Sequence, residues 1–289
     1  QPVNDKKTGK PLTWKSDGVN KWVIEGLKTG ETYTLRETTA PNGYTVTADS
    51  TFSIDAQGNV KYSGTTTGGV LLVEDAPTKV SIRKVDINSM QELAGATLAI
   101  LDKNGNPVND KKTGKPLTWL SDGKSTWDIY GLDADVTYIL RETSAPGGYA
   151  ITADSTFSID KQGIVTYSGT STSNGVLLVQ DTQTEVKISK VDINNQQELA
   201  GATLEIFDSK GQPVNDKKTG KPLVWTSDGV NIWTIKGLDA NATYTLRETT
   251  APNGYTVTAD STFTIDVKGN VNYKGTTTTN GVLLVEDKP

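Results

Sequence analysis

The segment Pro-Val-Asn-Asp-Lys-Lys-Thr-Gly-Lys-Pro-Leu starts three times, at Pro2, Pro107 and Pro213, so a unit of about a hundred residues is repeated along the chain. That period matches a β-sandwich domain and far exceeds a solenoid repeat, so each copy must close its own core. Repeats two and three run complete over 78–183 and 184–289. Repeat one, 1–77, begins at the position equivalent to Asn106 and lacks the stretch that reads KVSIRKVDINSMQELAGATLAILDKNG in repeat two. A second register, pairing residues 80–105 with the segment before them, would truncate the third unit instead, and periodicity alone does not choose between the two.

Runs such as Thr32-Tyr33-Thr34-Leu35, Thr51-Phe52-Ser53-Ile54 and Val70-Leu71-Leu72-Val73 are β-branched or aromatic, and Asn104-Gly105, Pro146-Gly147-Gly148 and Asn253-Gly254 are turn signals between such runs. No segment keeps a 3.6-residue apolar period over three capped turns, so the expected class is all-β, as tandem sandwiches.

Strand parity exposes an anomaly inside each complete repeat. Val80, Ile82 and Lys84 share one face of their strand, Tyr138, Leu140 and Glu142 share another, and Leu177, Val179 and Asp181 a third. A lysine, a glutamate and an aspartate thus each continue an apolar face. An isolated buried charge costs several kcal/mol, so the three must be disposed of together.

Composition removes several classes of function. With 29 basic and 34 acidic side chains there is no basic stripe, and nucleic acid and anionic membrane are poor partners. No apolar run reaches the roughly 20 residues of a membrane span. Gln1 begins inside a repeat without a signal-peptide pattern, as expected of a fragment of a longer protein. Cysteine and histidine are both absent, which leaves no disulfide, no thiolate site and no ordinary general base. No cofactor or metal is expected, nor an enzyme that turns over.

The order of motifs resembles a known family. Ile82 to Asp86 and Ile188 to Asp192 read Ile-x-Lys-Val-Asp, followed by Leu-Ala-Gly-Ala-Thr-Leu from Leu93 and Leu199. Leu-Arg-Glu-Thr-x-Ala-Pro-x-Gly-Tyr spans Leu140 to Tyr149 and Leu246 to Tyr255, and Val-x-Asp closes each repeat at Val179 to Asp181 and Val285 to Asp287. This series is similar to the Cna B-type domains of Gram-positive surface adhesins and pilins, which are prealbumin-like, reversed immunoglobulin sandwiches. The resemblance covers nearly the whole chain, although repeat one matches only from Leu35-Arg36-Glu37 onward. It implies a spontaneous amide between a first-strand lysine and a last-strand aspartate, assisted by the glutamate. Carried across, Lys84 would join Asp181 with Glu142 assisting, and Lys190 would join Asp287 with Glu248. The acceptor is aspartate where asparagine is commoner, so water rather than ammonia would leave. Repeat one carries Glu37 and Asp75, but the lysine partner of Asp75 is absent from this chain. The lysine-first order favours the register in which repeat one is the truncated copy.

Burial makes that reaction chemically reasonable. An amine attacks only as the neutral form and a carboxyl reacts only when protonated, and desolvation moves both groups that way. A neighbouring glutamate can carry the proton. Holding the two groups in contact is worth an effective concentration of about 10⁵–10⁸ M. Asp86 and Asp192 share the lysine's parity and are rival acceptors, but a residue two positions away could not tie one end of a domain to the other.

The joints Ala76-Pro77-Thr78-Lys79 and Thr182-Gln183-Thr184-Glu185 are short, so a rod of domains is expected rather than beads on a flexible string. The pairs Trp14/Trp22, Trp119/Trp127 and Trp225/Trp233 flank a Ser-Asp-Gly turn and read as hairpin packing before a sugar platform. The turn from Asn4 to Lys10 reads as a solvated hairpin tip. The resulting expectation is a structural stalk of a Gram-positive cell-wall-attached surface protein. Its partners would be the neighbouring repeats, with host matrix protein or glycan met through other domains. The alternatives are a repeat module binding host protein or glycan, and an assembly element in which repeat one accepts a strand from another chain.

Overall fold

The computed structural model describes all of residues 1–289, and its secondary structure is entirely β. The chain divides into two compact units, Gln1–Pro77 and Thr78–Pro289. The second unit contains two sandwiches, one per complete repeat.

In repeat two a five-stranded sheet runs in the order Val165–Ser168, Ser155–Ile159, Thr137–Ser144, Ala94–Asp102, Thr118–Asp122. It faces a four-stranded sheet ordered Ser171–Ser173, Val176–Asp181, Lys79–Asp86, Trp127–Tyr130. Alternation is nearly complete on the inner faces. Val80, Ile82, Leu98, Ile100, Leu140, Phe157, Ile159 and Leu177 form one dry core. Repeat three repeats the arrangement around Ile188, Leu204, Ile206, Leu246, Phe263 and Leu283. The first and last strands of each complete repeat lie side by side and parallel, with Lys84 opposite Val179 and Asp86 opposite Asp181, and Lys190 opposite Val285 in repeat three. Parallel neighbours need a long crossover, and here the crossover is the rest of the domain.

The two sandwiches meet closely through backbone. Gly148 has φ +88°, and a Cβ there would lie 2.7 Å from the carbonyl oxygen of Gly237. A Cβ on Gly147 would lie 3.0 Å from both Asp239 Oδ1 and Lys217 Nζ. Repeats one and three carry Asn42 and Asn253 at this place, so the glycine answers a local need for space. The Ile151 N–H donates to the Val267 carbonyl at 2.8 Å and the Thr184 N–H to that of Gly148 at 3.0 Å. The short joint is thereby stitched into the flanking domains.

The first unit holds a three-stranded sheet, Glu31–Leu35, Ser50–Ile54, Val60–Ser63, and a two-stranded one, Thr66–Thr67 with Val70–Leu71. Its inward residues Tyr33, Leu35, Phe52 and Ile54 are only half-buried, whereas Phe157 and Phe263 are buried. Strands corresponding to Lys79–Asp86 and Ala94–Asp102 do not occur in it, so one layer partner is missing from each sheet.

Candidate functional site

The Leu-Arg-Glu motif owes its geometry to strand alternation. Leu140 and Glu142 point into the sandwich, and Arg141 points out to grip Asp154 through two nitrogens, Nη2 reaching Oδ2 at 2.6 Å. The register against Ala94–Asp102 then shifts between Glu142 and Ser144, a bulge just past the glutamate. The Thr152 N–H, ten residues on, donates to Glu142 Oε2 at 2.9 Å and fixes the carboxyl. Thr258 does the same for Glu248 at 2.8 Å, and Thr47 for Glu37 at 2.9 Å.

Glu142 enters from one sheet, while Lys84 and Asp181 enter from adjacent strands of the other. Lys84 is 0% and Asp181 1% exposed. The lysine Nζ lies 3.0 Å from Glu142 Oε1 and in direct contact with Asp181 Oδ1. In repeat three Lys190 Nζ lies 3.2 Å from Glu248 Oε1 and touches Asp287 Oδ1. It also reaches the Val285 carbonyl at 3.3 Å. Asp181 Oδ2 and Asp287 Oδ2 are buried and accept no hydrogen bond. A carboxylate so placed is poorly solvated. Burial, reinforced by the neighbouring Glu142 against the pull of Lys84, pushes the Asp181 carboxyl up to about 8. Burial likewise raises Glu248.

The adjacent aspartate is held in the opposite state. Although burial works to raise Asp86, the Ser89 N–H, the Tyr149 hydroxyl and the Asn88 N–H hold its carboxyl below the ordinary range. Tyr149 donates to Asp86 Oδ2 at 2.9 Å, and Tyr255 to Asp192 Oδ2 at 2.7 Å. The Tyr255 hydrogen bond is the largest influence lowering Asp192. In repeat two, Asp86 and Asp181, side by side on parallel strands, are thus separated in basicity, and the ionised one is the worse electrophile.

The family match agrees with this architecture. The profile of the family described as "SpaA: Prealbumin-like fold domain" matches residues 3–67, 78–173 and 184–282. The chain belongs to the SpaA prealbumin-like domain family. It carries three such domains in tandem. Among solved structures similar to it, the Bacillus anthracis TIE protein is 23% identical, over 90% of this chain and 42% of that one, with a TM-score of 0.38. A streptococcal ancillary pilin is 18% identical over 89% and 74% of the two chains, with a TM-score of 0.32. The shaft pilin SpaA from Lactobacillus rhamnosus GG is 18% identical over 73% and 97%, with a TM-score of 0.29. The chain therefore spans less than half the length of the TIE protein. Comparison with curated proteins gives no match.

In the first SpaA domain, Glu37 and Asp75 are neighbours and half-buried, and Asp75 Oδ1 is buried without a partner. Burial and the adjacent Glu37 raise Asp75 to about 6. The tryptophans divide. Trp225 stacks on Trp233 at 5.7 Å and 5° and Trp119 on Trp127 at 6.3 Å and 25°, whereas Trp14 meets Trp22 tilted at 33°. Trp225 is buried, yet Trp22 and Trp233 are exposed. The turn from Asn4 to Lys10 is closed by Asp5, whose Oδ1 accepts the Lys7 and Thr8 N–H groups at 2.8 and 2.7 Å. In the other repeats Lys111 and Lys217 of this turn pair with Asp133 and Asp239.

Proposed function

We propose that the chain is a load-bearing stalk segment of a Gram-positive surface protein, each complete domain locked by one self-formed amide, Lys84–Asp181 and Lys190–Asp287. The observation that carries this reading is the buried contact of each lysine with an aspartate from the adjacent terminal strand, under a glutamate from the facing sheet. Membership of the SpaA family, a name shared with the shaft pilin above, supports the surface setting.

In the reaction the neutral lysine Nζ attacks Cγ of the protonated aspartic acid. The Cγ–Nζ bond forms and a Cγ–O bond breaks. Glu142 or Glu248 takes a proton from the amine and delivers it to the departing oxygen, and one water leaves. Two buried ionisable groups become one neutral group, and the buried oxygen without a donor is removed. Each site reacts once with itself, so no turnover follows.

The test is the intact mass of the denatured chain. It should fall two waters below the linear sequence, with peptide mapping placing the links at Lys84–Asp181 and Lys190–Asp287. A mass equal to the linear chain would make both sites ordinary ion pairs.

The pH dependence has a defined sign in repeat two. A carboxyl raised to about 8 stays protonated, and hence electrophilic, at neutral pH. For linear chain refolded from denaturant, the rate of water loss at Lys84–Asp181 should therefore stop climbing beyond about pH 8, where loss of the acid form offsets any gain in neutral amine. A rate still climbing at pH 10 would mean that protonation of Asp181 does not limit the step.

A further inference from the structure

In repeat two, one loop both supports the glutamate and meets the next domain. Residues 146–152 follow the strand Thr137–Ser144. At the end of this loop the Thr152 N–H donates to Glu142 Oε2 at 2.9 Å, and within it the Tyr149 hydroxyl donates to Asp86 Oδ2 at 2.9 Å. The residues between are fastened to repeat three. The Ile151 N–H, next to Thr152, donates to the Val267 carbonyl at 2.8 Å, and the Gly148 carbonyl, next to Tyr149, accepts the Thr184 N–H at 3.0 Å. Gly237, which Gly148 abuts, is tied in turn by its own N–H to the Thr184 carbonyl at 3.0 Å. Ala150 lies so near Gly269 that a Cβ on that glycine would stand 2.9 Å from the alanine Cβ.

The matching loop of repeat three, residues 252–258, supplies an internal comparison. It holds Glu248 through the Thr258 N–H at 2.8 Å and Asp192 through the Tyr255 hydroxyl at 2.7 Å. Yet Val257, the counterpart of Ile151, is 54% exposed, and a Cβ on Gly254 would meet nothing within 4 Å. Both loops make the same hydrogen bonds to their sites, and in this chain they differ in what holds the loop from outside. Loops open more readily than the strands they join, and each opening frees the carboxyl from its donor. Backbone hydrogen bonds from a second domain make such openings rarer. A proton carrier displaced by about 1 Å can lose about 100-fold in rate, so the steadiness of this loop bears directly on the condensation.

We propose that repeat three, docked on residues 147–151, acts on the site of repeat two: it steadies the loop that holds Glu142 and so speeds the joining of Lys84 to Asp181. Gly148 and Ile151 are positioning residues that act through Thr152 and Glu142. The covalent step is unchanged. Nζ bonds to Cγ, a Cγ–O bond breaks, and one water leaves. The inference rests on the condensation proposed above and adds an order to it, the upstream link forming fastest once the following domain has folded.

The test uses three variants of the full chain. Gly148→Ala and Gly254→Ala impose the same backbone strain, at φ +88° and +85°, but only the first drives a Cβ to 2.7 Å from the Gly237 carbonyl oxygen. Gly269→Ala disturbs the contact with Ala150 from the other side. Linear chain refolded from denaturant is followed by mass and peptide mapping, and amide hydrogen exchange is followed by NMR. Gly148→Ala should slow the Lys84–Asp181 link about tenfold or more. It should also speed exchange of the Thr152 N–H while the Leu140 and Phe157 amides keep their protection, a pattern that general destabilisation of the domain would not give. Gly254→Ala should change the Lys190–Asp287 rate by about twofold or less. Gly269→Ala, a change in repeat three, should slow the link of repeat two and not its own. Should Gly148→Ala lose its core protection, Gly269→Ala decides by the same readings. Equal slowing by Gly148→Ala and Gly254→Ala in their own domains, with repeat two indifferent to Gly269→Ala, would overturn the proposal. A parent chain that loses no water would overturn both this inference and the proposed function. A parent losing two waters at rates that none of the variants changes would overturn this inference alone.

Discussion

Replacing Glu142 and Glu248 together with glutamine should lower the thermal transition of residues 78–289 by about 20 °C or more. The substitution keeps the size and hydrogen-bonding capacity of each side chain but removes the group that moves the proton, so the chain should fold without linking. Lys84 and Asp181 stand 96 residues apart by count of those between them. A cross-link closing a loop of that size contributes about 4–5 kcal/mol on the chain-entropy account. For a domain of about 100 residues, each kcal/mol moves the midpoint by about 4–8 °C. Calorimetry of the parent and the double variant, with masses taken on the same samples, reads the effect. A variant two waters heavier with an unchanged transition would show that the links add nothing to stability. A single Glu142→Gln change should leave the link of repeat three intact.

The second large effect is mechanical. With the proposed amide in place, force entering at Thr78 would reach Lys84 within its own strand and cross to Asp181, leaving through Thr182, so the intervening residues would carry almost none of it. In the Glu142→Gln chain the same 96 residues can be drawn out. At about 3.3–3.6 Å per residue this adds extension on the order of 300 Å. Single-molecule stretching should show one such step in Glu142→Gln, two in the double variant and none from residues 84–181 or 190–287 in the parent. Steps of that length in the parent would be incompatible with a load path through the amide.

The parity of Lys84, Glu142 and Asp181 was legible because a strand's side-chain period is two, and a charged residue in phase with Val80 and Ile82 cannot escape the core face. What could not be read were relations across long stretches of chain. The bulge after Glu142, the Thr152 N–H on its carboxyl and the parallel register of first and last strands all depend on how distant segments meet. The rivalry of Asp86 shows this best. Its distance from Lys84 along the strand gave one reason to set it aside. The stronger reason is the Tyr149 hydroxyl, 63 residues away, which helps to keep Asp86 ionised while Asp181 is raised. The turn-flanking tryptophans were only partly legible: their pairing follows from their spacing, but the spacing does not tell that Trp225 is buried while its counterpart Trp14 is exposed.

The adjacency of the first and last strands also sets a clock. Lys84 is synthesised early in its repeat, but its partner Asp181 is among the last residues made. On the proposed linkage, neither complete repeat could lock until its whole length had been made and folded. A partly exported chain would therefore stay linear and pliable, and each complete domain would harden only after its last strand had joined its first. The position of one aspartate would then set the order of delivery and hardening.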